Sequence, residues 1–167
     1  MRKPLALSAL ASMLALAVAM GSQRWLGLVP CPLCLLERWP YRIALVLALL
    51  GLVLPYAARR WVLALVLVCT MAAAGLAFVH VGVEQGWWPS PLPECQAPDL
   101  AGLPMAERLK RMPARPSKAC EDATYLLPAL PVSMAVMNLG YALVFSAGLA
   151  RVLQRQRRIR KAEEPHG

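Results

Sequence analysis

Four long stretches without a formal charge limit what this chain can become. Pro4 to Gln23 is 20 residues, Ile43 to Ala58 is 16, Trp61 to Val83 is 23 and Ala123 to Ala150 is 28, with the charges gathered in short blocks between them. A soluble fold interleaves charge at helical or strand spacing, whereas a helix crossing a bilayer needs about 20 apolar residues in a row. At 59% hydrophobic residues the chain is too apolar for an ordinary soluble domain. The expected fold is an all-α membrane protein: a four-transmembrane-helix bundle, one domain over residues 1–167, with spans at about 5–23, 40–58, 61–83 and 129–150.

The first run follows Arg2 and Lys3, and Ala17-Val18-Ala19 resembles the cleavage site of a signal peptide. The run exceeds the usual length of such a segment, so a retained helix is expected. The second is short for a span unless its helix begins near Leu33, which would carry Cys34, Glu37 and Arg38 into the outer edge of the membrane. Arg59-Arg60 reads as a very short connection. Pro128 and Pro131 move the start of the last helix into its run. Residues 1–3, 59–60 and 151–167 hold ten Lys/Arg in 22 positions, against eight in 58 for residues 24–42 and 84–122. The positive-inside rule therefore places both termini in the cytoplasm and segments 24–39 and 84–128 outside. The net charge of +9 is then a topology signal, with attraction of the tail 151–167 to lipid headgroups as a second effect and no role in nucleic-acid binding.

On the outer side lie four of the five cysteines. Cys31-Pro32-Leu33-Cys34 runs directly into Leu35-Leu36-Glu37-Arg38. Pro32 suits the first position of a helix, which puts Cys31 at the N-cap, where unpaired backbone N–H groups favour a thiolate. Arg38 and Arg42 follow at one-turn intervals on the face of Cys34. The pair admits a zinc half-site completed by Cys95 and Cys120, a static disulfide, or a redox-active dithiol. A helix-start proline and a neighbouring arginine favour the last. Cys95 and Cys120 admit a structural clamp on a loop with little core, or a transfer disulfide that meets a soluble partner. Cys69, amid Val, Leu and Ala, reads as inert filler.

Glu37 and Arg38 occupy costly positions at a membrane edge, where function is the default, while Arg42 snorkels. His80, near the outer end of the third run, is an interior hydrogen-bonding residue or a proton relay. In the outer loop Pro104 opens a short amphipathic helix with Met105, Leu109 and Met112 on one face and Glu107 paired with Arg111 on the other. Trp87-Trp88 reads as an interfacial belt.

Cys31 to Arg38, the stretch His80-Val81-Gly82-Val83-Glu84-Gln85-Gly86-Trp87-Trp88 leading to Cys95, and Ser133-Met134 together resemble the DsbB family of disulfide-bond formation proteins over nearly the whole chain. The resemblance implies a protein-dithiol:quinone oxidoreductase of the bacterial inner membrane. It would reoxidise a periplasmic DsbA-type thiol oxidase and pass the electrons to ubiquinone or menaquinone. By motif, Cys95 would form the mixed disulfide with DsbA, Cys120 would be its partner, Cys31 would take electrons from the loop and Cys34 would face the quinone. Arg38 would support the quinone, with Glu37 beside it and His80 near the ring. The chain departs from the family pattern after Cys120, from Tyr125 through Pro131 to Met134, and at Met137 before Asn138, where a tryptophan is common. The rival reading is a non-catalytic tetraspan scaffold with static disulfides. A transporter is disfavoured, since only His80 is ionisable well within a run and no paired broken helices occur.

Overall fold

The computed structural model describes residues 1–95, 104–107, 118–126 and 131–163. Four long helices carry them: α1 (Arg2–Trp25), α2 (Pro32–Val53), α3 (Tyr56–Glu84) and α4 (Met134–Glu163), with a single 3₁₀ turn at Pro93–Cys95. Among the described residues there is no strand, only an isolated bridge between Tyr125 and Ser133. α2 packs against α1 on one side and α3 on the other, and α3 packs against α4, while α1 and α4 touch only slightly.

Small side chains make up much of the interior, around a few large ones such as Leu5, Leu63 and Val66. Ser8, Ser12, Ala44, Ala48, Gly51, Thr70, Ala73, Ala77, Ala142 and Ser146 are buried, while Leu7, Leu10, Val46, Leu50, Val68, Phe78 and Val144 point outward. This inverts a soluble core. It suits a lipid surround, where outward leucines cost nothing and small residues let backbones approach. At Gly51 an added Cβ would stand 2.9 Å from Val62 and 3.0 Å from Leu5, so α1, α2 and α3 meet there without room for a side chain. Two of the buried hydroxyls find partners within the bundle, Ser146 donating to Thr70 at 2.9 Å and Ser8 to the Pro4 carbonyl at 2.8 Å, whereas Ser12 Oγ has none among the described residues.

α1, α3 and α4 up to Arg160 are long and apolar enough to cross a membrane. α2 differs because Glu37, Arg38 and Arg42 fall in its first half. It starts at Pro32 with Cys31 as N-cap, as the early-start reading of the second run requires. The connection to α3 is Leu54-Pro55, not Arg59-Arg60. Pro55 has no N–H to continue the ladder, so α2 stops there and α3 starts one residue later. Both arginines sit on α3, and Arg59 Nε donates to the Leu54 carbonyl at 3.0 Å, closing the end of α2. α4 begins at Met134, past Pro131, and runs on through the basic tail, so the helix extends well beyond its uncharged run. In the outer loop Met105, Ala106 and Glu107 are helical; Leu109, Arg111, Met112 and Pro128 lie outside the described residues.

α3 closes on Gly86, at φ 69, with Trp87 N–H donating to Gly82 O at 2.8 Å and Gly86 N–H to Val83 O at 3.1 Å. That pairing folds the chain back after the helix. Trp88 lands on the face of Gly82 and donates its indole N–H to Val79 O at 3.1 Å. The belt reading therefore fits the exposed Trp87, whereas Trp88 is partly buried as a lid on α3. A methyl at position 82 would meet the Trp88 ring directly. Gly82→Ala should gain up to about 1 kcal/mol of helix propensity and lose about 1–3 kcal/mol to overpacking. A lower Tm in detergent, with altered tryptophan fluorescence, is the expected result; a raised Tm counts against the lid.

Candidate active site: a dithiol above an apolar cavity

Pro32 starts α2 and leaves Cys31 at the N-cap, where its sulfur accepts the Cys34 N–H at 3.2 Å. The two sulfurs lie 2.8 Å apart and are not bonded to each other. With Cys34 donating to it, the Cys31 thiol is held below the usual thiol range; the same contact, with burial, pushes the Cys34 thiol up. Cys31 is thus the first of the pair to carry charge. Cys34 becomes the better thiolate only when Cys31 is engaged elsewhere.

Both cysteines touch the cluster around the loop disulfide, but only Cys34 also borders a cavity. Cys31 is buried in a cluster with Leu33, Val83, Cys95 and Cys120. Cys34 lines a cavity of about 290 Å³ that also borders Glu37, Arg38, Tyr41, His80 and Asn138. The remaining wall is largely apolar, with Leu14 and Val18 from α1 and Met134 and Met137 from α4, so the cavity lies where those two helices part. Tyr141 ties the seam, donating to Ala11 O at 2.7 Å. Arg38 is 9% exposed and donates to Gln23 Oε1 at 3.0 Å and Ala19 O at 3.1 Å. Arg38 also lines the cavity, and among the described residues its guanidinium makes no further hydrogen bond.

Behind the dithiol runs a buried polar chain. His80 Nε2 is 3.5 Å from Cys31 Sγ, and His80 Nδ1 is 2.8 Å from Glu37 Oε1. Glu37 Oε2 accepts from Asn138 Nδ2 at 2.7 Å, and Asn138 Oδ1 accepts from the Tyr41 hydroxyl at 2.8 Å. On the far side Glu84 Oε1 lies 4.0 Å from His80 Nε2, and Ser133 donates to the other Glu84 oxygen. A thiol, an imidazole and a carboxylate in series form the arrangement that activates a nucleophile through an oriented base.

Cys95 and Cys120 form a disulfide, and both are buried, at 2% and 0% exposure. Cys120 N–H donates to Cys95 O at 3.4 Å. The bridge removes both sulfurs from any four-cysteine zinc site. Cys69 packs against the hydrophobic cluster to which all four helices contribute. Arg42 lies over the Trp39 ring at 5.2 Å.

The family described as "Disulfide bond formation protein DsbB" matches residues 1–152. The chain belongs to the DsbB family. Curated relatives agree. The Disulfide bond formation protein B of Pasteurella multocida (strain Pm70) is 28% identical over 152 residues, covering 86% of this chain and 84% of that protein. The protein of the same name from Dechloromonas aromatica (strain RCB) is 38% identical over 84 residues, covering 47% and 46%. No solved structure matches the chain. Membership makes this a disulfide-forming membrane protein, which accords with three helices able to span a bilayer.

Of the residues expected from the DsbB resemblance, Cys31, Cys34, Glu37, Arg38 and His80 converge at one end of the bundle, with the Cys95–Cys120 bridge packed on Cys31. His80 Nε2 lies 3.5 Å from Cys31 Sγ, while the ring also borders the cavity that Cys34 lines. Sequence reading passed over Tyr41, Glu84, Gln23 and Asn138. The signal for Asn138 and Glu84 was present, since an amide or carboxylate in or beside an apolar run needs a buried partner. That signal does not say which partner.

Proposed function

We propose that this protein reoxidises a periplasmic DsbA-type thiol oxidase by thiol–disulfide exchange and delivers the electrons to a membrane quinone, ubiquinone or menaquinone. The supporting observation is the split surroundings of the dithiol, with Cys31 against the loop disulfide and Cys34 on the cavity. In this reading the chain is one integral domain of the bacterial inner membrane. α2 provides a fourth span, both termini are cytoplasmic, and residues 24–39 and 84–128 face the periplasm.

The cavity suits a quinone head. That head is a flat apolar ring with two carbonyl acceptors, and the walls are apolar with a buried guanidinium. When bound, a quinone accepts two electrons and two protons. The chain supplies the rest. A thiolate of the DsbA-type partner attacks Cys95 Sγ, and Cys120 leaves as thiolate. Cys120 then attacks Cys31 of an oxidised Cys31–Cys34 pair, forming one S–S bond, breaking another and freeing Cys34 as thiolate. With Cys31 engaged, the contact that raised Cys34 is gone, so negative charge rests at the cavity wall beside Arg38. The partner's second thiol releases Cys95, which re-forms its bond with Cys120 and frees Cys31. His80, oriented by Glu37, takes the Cys31 proton so that the Cys31–Cys34 disulfide can close as two electrons leave.

Purified protein with a quinone should reoxidise reduced DsbA-type partner. Arg38→Ala should raise the apparent quinone KM about 10-fold or more, the worth of one hydrogen bond to a charged group, and leave loop exchange unchanged. An unchanged KM removes the arginine from the quinone site.

Burial of the Cys95–Cys120 bridge favours a second reading, a static clamp worth about 3 kcal/mol in a non-catalytic scaffold. The two part under quinone depletion followed by thiol trapping. Reduced Cys95 and Cys31 accumulate in the enzyme, while every bridge stays closed in the scaffold.

A further inference from the structure

We infer that the reduced Cys31–Cys34 pair, with His80, is a binding site for a thiophilic divalent d¹⁰ cation such as Zn²⁺, and that oxidation of the pair abolishes it. The Cys31 and Cys34 sulfurs and a His80 ring nitrogen all lie within 4.8 Å of one another, and Cys31 and His80 are buried. Tetrahedral zinc with Zn–S near 2.3 Å and Zn–N near 2.05 Å requires an S···N separation of about 3.5 Å and an S···S separation of about 3.8 Å. Cys31 Sγ to His80 Nε2 is 3.5 Å. The two sulfurs, 2.8 Å apart, must spread by about an ångström, a change within reach of a rotation at Cys34, which borders open cavity space.

Two further observations point to a metal. Glu37 holds His80 Nδ1 at 2.8 Å, the carboxylate–histidine arrangement that directs the other ring nitrogen and its lone pair toward a cation. Glu84 Oε1 stands 4.0 Å from His80 Nε2, near enough to become a fourth ligand after a small shift. The loop cysteines play no part, because their sulfurs are bonded to each other.

Binding releases the two thiol protons and changes no oxidation state. An S–S bond between Cys31 and Cys34 removes both thiolate ligands, so affinity is confined to the reduced form. A bound cation occupies the sulfur that Cys120 would attack and the sulfur that faces the cavity, and so holds the protein reduced. The inference concerns binding alone and stands whether or not the cavity takes a quinone.

The test uses full-length protein in detergent with Cys95→Ser and Cys120→Ser, which leaves Cys31, Cys34 and Cys69 as its thiols. Cd²⁺ is titrated into the reduced protein while thiolate-to-cadmium absorption is followed. The expected result is about one ion per chain when reduced and none once Cys31–Cys34 is oxidised. His80→Ala should weaken binding at least 10-fold, and Glu37→Gln about 10-fold or more through the ring it orients. Because these changes touch a buried network, a second measurement uses the unaltered chain, in which Zn²⁺ should protect reduced Cys31 and Cys34 from alkylation. Equal binding by oxidised and reduced protein, indifference to His80→Ala, or absence of protection in the unaltered chain overturns the site.

Discussion

Cys34→Ser is expected to cut quinone-coupled turnover by about a thousandfold or more, since no disulfide can form at a hydroxyl. The loss should be confined to the second half of the reaction. Serine preserves the size of the side chain at the cavity wall and the backbone N–H that Cys31 accepts, so the fold and the Cys95–Cys120 bridge should persist. Exchange between the DsbA-type partner and the loop therefore continues for one round and stops, with Cys95 and Cys120 left reduced and Cys31 a free thiol that has no disulfide to offer them. Two measurements check this: steady-state quinone reduction by absorbance, and alkylation of the reduced Cys95 and Cys120 that one round of exchange leaves behind. Appreciable steady-state turnover in this variant would falsify the role given to Cys34.

His80→Ala should slow re-closure of the Cys31–Cys34 disulfide by roughly 10²–10⁴-fold, the usual contribution of a positioned base. The substitution removes the whole imidazole, both the nitrogen 3.5 Å from Cys31 Sγ and the one that meets Glu37, while the cysteines remain. Glu37→Gln should show part of the same loss. The neutral amide still meets His80 Nδ1 but no longer stabilises an imidazolium, and its NH₂ crowds the Asn138 amide at 2.7 Å. The discriminating readout is the pH profile of single-turnover re-closure. With His80 present the rate should reach its plateau at lower pH, because the oriented base keeps the attacking sulfur deprotonated. In His80→Ala the profile should move upward toward that of an ordinary thiol, and loop exchange with the partner should keep its own profile. An unmoved profile with a uniform loss of rate would mark His80 as structural.

Much of the architecture was legible because bilayer crossing is a one-dimensional demand. The uncharged runs located four long helices among the described residues, three of them apolar enough to cross a membrane, and Pro32 after Cys31 located the start of α2 to the residue. The turn between α2 and α3 was misread because Arg59-Arg60 stands out by charge, whereas chain reversal follows the missing N–H of Pro55. Trp88 was misread for a related reason. An aromatic pair at a helix end looks interfacial, and only the backward turn at Gly86 brings one ring onto Gly82.

At the site, residue chemistry was readable and mutual placement was not. Cys31, Cys34, Glu37 and Arg38 are contiguous on one helix start, so their neighbourhood follows from helical spacing alone. The sequence by itself determined an apolar helical chain with a capped dithiol, two further cysteines and isolated ionisable groups at the edges of its runs. The tertiary structure decided that His80 of α3 lies 3.5 Å from Cys31, that Asn138 of α4 donates to Glu37, and that the parting of α1 and α4 opens a cavity onto Cys34. The physical reason is that such contacts join residues 49 and 101 positions apart, and small-residue packing between helices sets which faces meet. No periodicity within a single run encodes that choice.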